Sequence, residues 1–474
     1  MKRRDFLKNL GAGMTTLGCA AASAGENSRA RKPNIVFIFI DDMGYGDIGP
    51  FGSTQNKTPN LDRMAAQGNK LTQFYVSSTA CTPSRASLMT GCHADRIGMD
   101  GRVLFPADVR GLNPDEITIA ELLKAQGYAT GCFGKWHLGD QPEFLPLQQG
   151  FDEYIGIPYS NDMWSPSPRR EYPPLPIVEG SRPVAHVSDG ADQALLCEVL
   201  TDAAVSFMQR HRGEPFFVYL PHAFVHGPRF SRMANLEKAG GNVVRAQVEE
   251  VDWSVGQILK TVEELGLAND TLVIFTSDNG GAGGMSMGPL RGGKGGPKYE
   301  GHMRAPTLAW WPRRIPAGAV TDEIGATSDV LPTLARLTGT EPPRDRVIDG
   351  HDILPLLLAE PGATSPHEVL FYEVGGVRRG KWKLVQLRKG VTELYDLEAD
   401  LGEQNDVAAQ FPGRVAELKS LLDQHAAALQ ADRRPAAFVE GPTPLLTTTD
   451  GLPKLAEYMG MPDLQASDGR EPKR

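Results

Sequence analysis

The chain alternates short apolar runs with amphipathic stretches. Residues 34–40 (NIVFIFI) are uninterrupted apolar and β-branched. That pattern predicts a strand buried on both faces, as in a parallel sheet covered by helices. Residues 216–220 (FFVYL) and 271–276 (TLVIFT) repeat it, and 128–133 form a shorter strand. Helical spacing predicts helices near 61–67, 118–126, 191–211 and 243–265, with Gly68 and Gly127 stopping the first two. Residues 158–183 are Pro-rich and read as an extended surface excursion.

Buried strands alternating with helices predict an α/β fold, a large and mostly parallel sheet sandwiched by helices. Polar clusters follow the strand ends: Asp41-Asp42, then Gly134 to Gly139, then His222 and His226, then Ser277 to Gly280. That edge is where open α/β sheets bind ligands. The composition shifts near 349–366. Beyond it, strand-like pieces at 369–373, 382–387 and 393–396 and a helix at 414–428 predict a small C-terminal α+β domain. The stretch from Asp432 is Pro-rich, polar and aperiodic, and is expected to be loosely attached. The expected organisation is a targeting segment at 1–24, a large domain at 32–360, a small domain at 361–431 and an irregular tail at 432–474.

A length of 474 residues exceeds what one small core serves, in keeping with two domains. The formal net charge of -9 is spread along the chain, which argues against a nucleic acid or an anionic membrane as main partner. An anionic substrate in a local basic pocket stays compatible with it.

Lys2, Arg3 and Arg4 open the chain, and Arg3-Arg4-Asp5-Phe6-Leu7-Lys8 looks like a twin-arginine export signal. A weakly apolar stretch follows, too short for a permanent span, and Ala22-Ser23-Ala24 suits cleavage. Cleavage there is favoured over lipoprotein acylation at Cys19, because Thr16 sits where such sites usually carry Leu. The expected product is a periplasmic or extracellular protein without a transmembrane segment. Cys81, Cys92, Cys132 and Cys197 remain, too few for a disulfide scaffold. The last three read as small buried hydrophobes, with one bridge left open.

Cys81-Thr82-Pro83-Ser84-Arg85 begins the most informative segment, which continues to Gly91. Pro83 suits the first turn of a helix. Arg85 follows Cys81 by about one turn, so both can face one site, where the helix N-terminus favours an anion. Asp41-Asp42 and Asp278-Asn279 each end a buried strand, and adjacent carboxylates repel unless a cation joins them. A third group is cationic: Lys135 and His137 in GKWHLG, His226 in HAFVHGP, and Lys294 in RGGKGG. Each alone has an ordinary reading as a strand-end turn, a solvated lysine or a structural histidine. Lys294 stands out because glycine lets a backbone approach a ligand closely.

The Cys81 segment resembles the sulfatase signature, Cys-x-Pro-x-Arg. GKWHLG, the His226 loop and the Lys294 segment through Tyr299-Glu300-Gly301 and Arg304-Ala305-Pro306 match the same family over about residues 33–312, with a last echo at Glu393 to Leu397. Gln149 to Asp152 and Gly156 to Asp162 point to arylsulfatase A-like enzymes and bacterial carbohydrate sulfatases, within the alkaline phosphatase-like superfamily. Asn161 departs from the His often found there, and Val225 and Gly227 also differ, which puts substrate preference in doubt.

The resemblance implies that a formylglycine-generating enzyme converts Cys81 to formylglycine. It implies Ca²⁺, with Mg²⁺ less favoured, held by Asp41, Asp42, Asp278, Asn279 and residue 81. A hydroxyl of hydrated formylglycine attacks sulfur and forms an enzyme sulfate ester. Arg85 orients that nucleophile, and Lys135, Lys294 and His226 bind the sulfate. His226 or Lys294 protonates the leaving alcohol, and His137 takes the proton whose loss releases sulfate. Asn161, Asp162 and His222 are candidate substrate contacts. The expected substrate is a sulfated small molecule or saccharide. Rival readings are a formylglycine-dependent phospho- or phosphonate-ester hydrolase and a non-catalytic protein that binds sulfated glycans.

Overall fold

The computed structural model describes residues 32–469. The export-signal reading and Cys19 lie outside them. Ten strands form the main sheet: β1 (Asn34–Ile40), β2 (Asn69–Leu71), β3 (Ala129–Lys135), β4 (Glu153–Ile157), β5 (Leu175–Glu179), β6 (Arg182–Val187), β7 (Phe216–Pro221), β8 (Thr271–Ser277), β9 (Thr307–Trp310) and β10 (Ala319–Thr321). Their order is β10-β2-β9-β8-β1-β7-β3-β4-β5-β6. The middle run from β8 to β4 is parallel, and β9 and β5 pair antiparallel to it on the two sides.

The central strand shows why its sequence is continuously apolar. Val36, Ile38 and Ile40 face one core with residues of the helices Gly190–Arg210 and Val243–Glu264, and Ile35, Phe37 and Phe39 face the other with residues of the helices Cys81–Thr90 and Val330–Thr338. These helices belong to the series α1 (Pro59–Gln67), α2 (Cys81–Thr90), α3 (Ile119–Ala125), α4 (Gly190–Arg210), α5 (Val243–Glu264) and α6 (Val330–Thr338). Each such side chain contributes roughly 1.5–3 kcal/mol through burial. Helix α3 starts at a capping box of Thr118 and Glu121. Helix α1 stops at Gly68, where a Cβ would lie 2.2 Å from the Ala309 carbonyl oxygen.

The fold class agrees with the expected mostly parallel α/β sheet. The Pro-rich excursion does not: its second half folds back as the β5–β6 hairpin and closes one edge of the sheet. Leu175, Ile177, Ala185 and Val187 reach the core. Pro176 lies outside the short stretch that pairs with β4, so its missing N–H breaks no ladder bond there.

A second, antiparallel sheet follows: β11 (Val369–Phe371), β12 (Gly376–Arg379), β13 (Trp382–Gln386) and β14 (Thr392–Asp396). Helix α7 (Pro412–Ala431) packs on it through Leu418 and Leu422 against Val377, Leu384 and Leu394. Also on α7, His425 stacks on Phe371 with ring centroids 3.8 Å apart and meets His93 edge-on at 5.1 Å. Burial, and then His93 and Arg96 against an opposing pull from Asp349, bring His425 down to about 3. The unfolded state takes up this proton near pH 6.5 and the folded state does not, so stability is present above pH 6.5 and is lost as pH falls toward 3. His425→Phe is expected to recover about 1–2 kcal/mol of the loss between pH 7 and pH 5. Urea midpoints at the two pH values check this, and an unchanged difference would refute it.

The expectation of a loosely attached tail is corrected. Arg434 pairs with Glu116, residues 437–438 pair with 110–111, Leu455, Ala456 and Met459 enter the main core, and 466–467 pair with 231–232. Scattered apolar residues do the anchoring, without a period that sequence reading detects. Among the described residues, no helix is long and apolar enough to cross a membrane. Cys81, Cys92, Cys132 and Cys197 are all free and buried, so the open bridge among the last three is not formed.

Candidate active site

Asp41 and Asp42 follow β1, and Asp278 and Asn279 follow the adjacent β8. The parallel register brings the two pairs together at the C-terminal sheet edge. Asp278 N–H donates to the Ile40 carbonyl at 2.9 Å, Asp42 N–H to Asp278 Oδ1 at 3.2 Å, and Asn279 Nδ2 to Asp42 Oδ1 at 2.7 Å. Asp42 takes a left-handed conformation, φ 64°.

Cys81 is the first residue of α2. Its Sγ lies 3.5 Å from Asp41 Oδ1 and 3.7 Å from Asn279 Oδ1. Ligand atoms of Asp41, Asp42, Cys81 and Asp278 all lie within 4.8 Å of one another. Three buried carboxylates at this separation demand cations. The chain supplies three. Lys135 Nζ bonds Asp41, Lys294 Nζ lies 2.7 Å from Asp42 Oδ1 and 3.1 Å from Cys81 Sγ, and Arg85 Nη2 lies 2.8 Å from Asp278 Oδ2. Arg85 is fully buried, and its Nη1 donates to the Lys135 carbonyl at 2.9 Å. One guanidinium thus ties α2, β3 and the β8 end together.

The electrostatics follow from this crowding. Burial alone would raise Asp41, but Lys135, His226, Arg85 and Lys294 outweigh it and hold the carboxyl well below its usual range. Asp278 goes the other way, pushed up to about 6 by burial and then by Asp41. Burial and Asp41 also push the Cys81 thiol up to about 12, so the cysteine itself is no ready thiolate.

The two site histidines differ in their free nitrogens. His137 Nε2 lies 2.9 Å from the Leu104 carbonyl, which only accepts, so Nε2 carries the proton. Its Nδ1 is buried without a partner among the described residues and keeps a free lone pair. Burial, and then Lys135 and Arg85, hold His137 well below its ordinary value, hence neutral. Gly134, just before Lys135, is required by the close approach of the end of β7: a Cβ there would meet the Pro221 oxygen at 1.9 Å. His226 Nδ1 is 2.6 Å from the Gly227 carbonyl and 3.1 Å from Asn161 Oδ1, so Nε2 points toward Asp42, 3.7 Å away. Burial and then Lys294 lower His226.

The structure therefore gathers Asp41, Asp42, Cys81, Arg85, Lys135, His137, His226, Asp278, Asn279 and Lys294 around one point. Asn161 joins them through His226. Asp162 stands to the side, its Oδ2 3.7 Å from Arg169. His222 is not brought in: it is fully buried, and its Nε2 lies 2.9 Å from Ser254 Oγ on α5. Its N–H donates to the Phe39 carbonyl at 2.9 Å, and among the described residues no hydrogen bond of His222 reaches the cluster. Two contributors escaped sequence reading as site residues. Ser160 Oγ accepts from Lys135 Nζ at 3.1 Å, and Gln193 on α4 holds Asn161 in place through bonds at 2.9 and 3.1 Å. Gln193 sits in ordinary helical sequence, so no local signal marks it.

Comparisons with known proteins fit this geometry. The sulfatase family model matches residues 33–340. Human arylsulfatase A is 38% identical over 453 residues, covering 83% of this chain and 87% of that protein. N-acetylgalactosamine-6-sulfatase of Sus scrofa is 37% identical, covering 74% of this chain and 71% of that protein. Among solved structures, Ps i-CgsB in complex with k-i-k-neocarrahexaose superposes with a TM-score of 0.75 at 27% identity, covering 91% of this chain and 98% of that one. The match spans every cluster residue named above, and the chain belongs to the sulfatase family.

Proposed function

We propose that this sulfatase hydrolyses sulfate esters on a carbohydrate, through a formylglycine made from Cys81 and with a bound calcium ion. The observation that carries the reading is the convergence of Cys81 with three buried carboxylates and three buried or half-buried cations. The carbohydrate assignment draws on relatives named N-acetylgalactosamine-6-sulfatase and on the neocarrahexaose complex of Ps i-CgsB.

The donor set fits the metal. Asp41, Asp42, Asp278 and Asn279 offer hard oxygens at one point, which suits Ca²⁺ better than Mg²⁺ with its retained waters. When bound, the ion supplies Lewis-acid polarisation at the sulfate. Hydrated formylglycine supplies two hydroxyls on one carbon, one to attack sulfur and one whose deprotonation releases sulfate.

The chain's own residues then have separable tasks. Arg85 fixes the orientation of residue 81 from one helical turn away and cannot lose its charge there, because Asp278 and Asp41 raise it despite burial. Lys135 and Lys294 bring ammonium groups to the sulfate oxygens. His226 presents Nε2 to the leaving oxygen, its Nδ1 being committed to Gly227 and Asn161. His137, neutral with a free Nδ1, accepts the proton of the second hydroxyl. Export and the division near residue 360 into a catalytic and a small C-terminal domain belong to the same proposal. They are supported by Arg3-Arg4 and by the separate sheet at 369–396.

The test is sulfate release from an aryl sulfate and a panel of sulfated saccharides, with the protein co-expressed with a formylglycine-generating enzyme. Turnover of a saccharide establishes the reading. No release from any sulfate ester, with residue 81 shown to be converted, would overturn it, and phosphate and phosphonate esters become the next substrates to try.

A further inference from the structure

A cleft of about 690 Å³ opens beside the cluster, between the glycine-rich loop of Lys294 and the turn that joins β13 to β14. Gly296, Pro297 and Lys298 form one wall, and Leu387, Arg388 and Val391 the other. Its first wall begins two residues after Lys294, whose Nζ lies 3.1 Å from Cys81 Sγ. Gly295 N–H donates to the Thr79 carbonyl at 3.1 Å, and Thr79 precedes Cys81 by two residues. Cleft and reacting centre therefore share one piece of backbone.

That shared wall is clamped. Lys298 Nζ lies 3.0 Å from Thr79 Oγ1 and 2.5 Å from Glu373 Oε2, and Glu373 Oε1 accepts from Thr79 N–H at 3.0 Å. Lys298 is thus neutralised and leaves little charge for a ligand. The opposite wall differs. Leu387 N–H donates to the Val391 carbonyl at 2.7 Å and closes a tight turn that holds Arg388 out. Arg388 is exposed, and among the described residues it has no ion-pair partner. Val391 is 54% exposed and nearby Val374 41%, both high for valine. An apolar floor with one uncompensated guanidinium at the rim suits a pyranose that packs its C–H face and presents an anion.

We propose that this cleft is a second saccharide subsite, which takes the sugar next to the sulfated one and uses Arg388 to select a neighbour bearing a carboxylate or a second sulfate. The proposal rests on the carbohydrate-sulfatase reading above and deepens it. It places selectivity on the small sheet.

The experiment compares kcat/KM on a sulfated monosaccharide with three disaccharides. Their second sugars are neutral, a uronate, or sulfated. Wild type is expected to favour one or both anionic disaccharides over the neutral one by about tenfold, carried by KM, as one charge-assisted pair allows. The favoured member tells carboxylate from sulfate. Arg388→Glu is expected to erase or reverse that preference, and Arg388→Ala to reduce it. No preference in wild type, or the same preference in Arg388→Glu, overturns the subsite while monosaccharide turnover leaves the sulfatase reading standing. Failure of wild type on every sulfate ester overturns that reading and the subsite with it.

Discussion

Cys81→Ala is expected to lower sulfate release by on the order of 10⁴-fold or more while the protein stays folded. The substitution removes one sulfur atom at the first position of α2, where alanine is a good helix former. No core contact depends on it: the partners of Sγ are Asp41, Asn279 and Lys294, all polar. Activity should therefore fall much further than thermal stability. Sulfate release and a melting curve on one preparation measure both. Full activity in Cys81→Ala would refute the nucleophile assignment, and a collapsed melting curve would show a structural role instead.

Lys383→Met is expected to cost about 3–5 kcal/mol of stability, as breaking a buried ion network does. Lys383, on β13, is fully buried with its Nζ 2.9 Å from both Glu300 Oε1 and Glu403 Oε1. Methionine keeps the volume and removes the charge, leaving two buried carboxylates beside each other. Tyr75 and Tyr372 hydroxyls at 2.7 and 2.8 Å from Glu300 do not replace that charge. Burial alone would raise Glu300, but Lys383, Arg304 and Arg378 outweigh it and hold it below its usual range. A carboxyl so lowered adds stability above the ordinary carboxylate range, and the contribution is lost as pH falls through it. Denaturant midpoints should show wild type and Lys383→Met converging as pH falls toward 3. The effect should also reach the site, because Glu300 lies on the segment between the Lys294 loop and Arg304, where Gly301 N–H bonds the Arg291 carbonyl.

The site was legible where chemistry sits in continuous loops after strong strands. Asp41-Asp42 and Asp278-Asn279 could be paired from sequence because each ends an apolar run, and parallel strands end at one edge. The Cys81 and Lys294 segments were legible because Cys-x-Pro-x-Arg and a lysine between paired glycines resemble a family pattern, and because glycine lets a backbone approach a ligand closely. His222 misled, since a histidine just past a strand looks the same whether it meets a substrate or Ser254. Gln193 and the Thr79, Lys298 and Glu373 clamp were invisible, because tertiary packing alone joins them. The β5–β6 hairpin was hidden by its prolines, which an outer strand tolerates. The tail was misread for a related reason: a few apolar anchors suffice when the surface that receives them is already formed.

The central place of β1 sets a timetable for the growing chain. Its partners β7 and β8 end at residues 221 and 277, so β1, the first strand of the described residues, waits for both. At roughly 5–20 residues per second that wait is on the order of ten seconds or more. Throughout it, the stretch around Cys81, later buried under the finished sheet edge, stays open to any enzyme that must reach it. A chain that closed faster would shorten the interval for modification, and one that closed slower would leave an apolar strand waiting for the wrong neighbour.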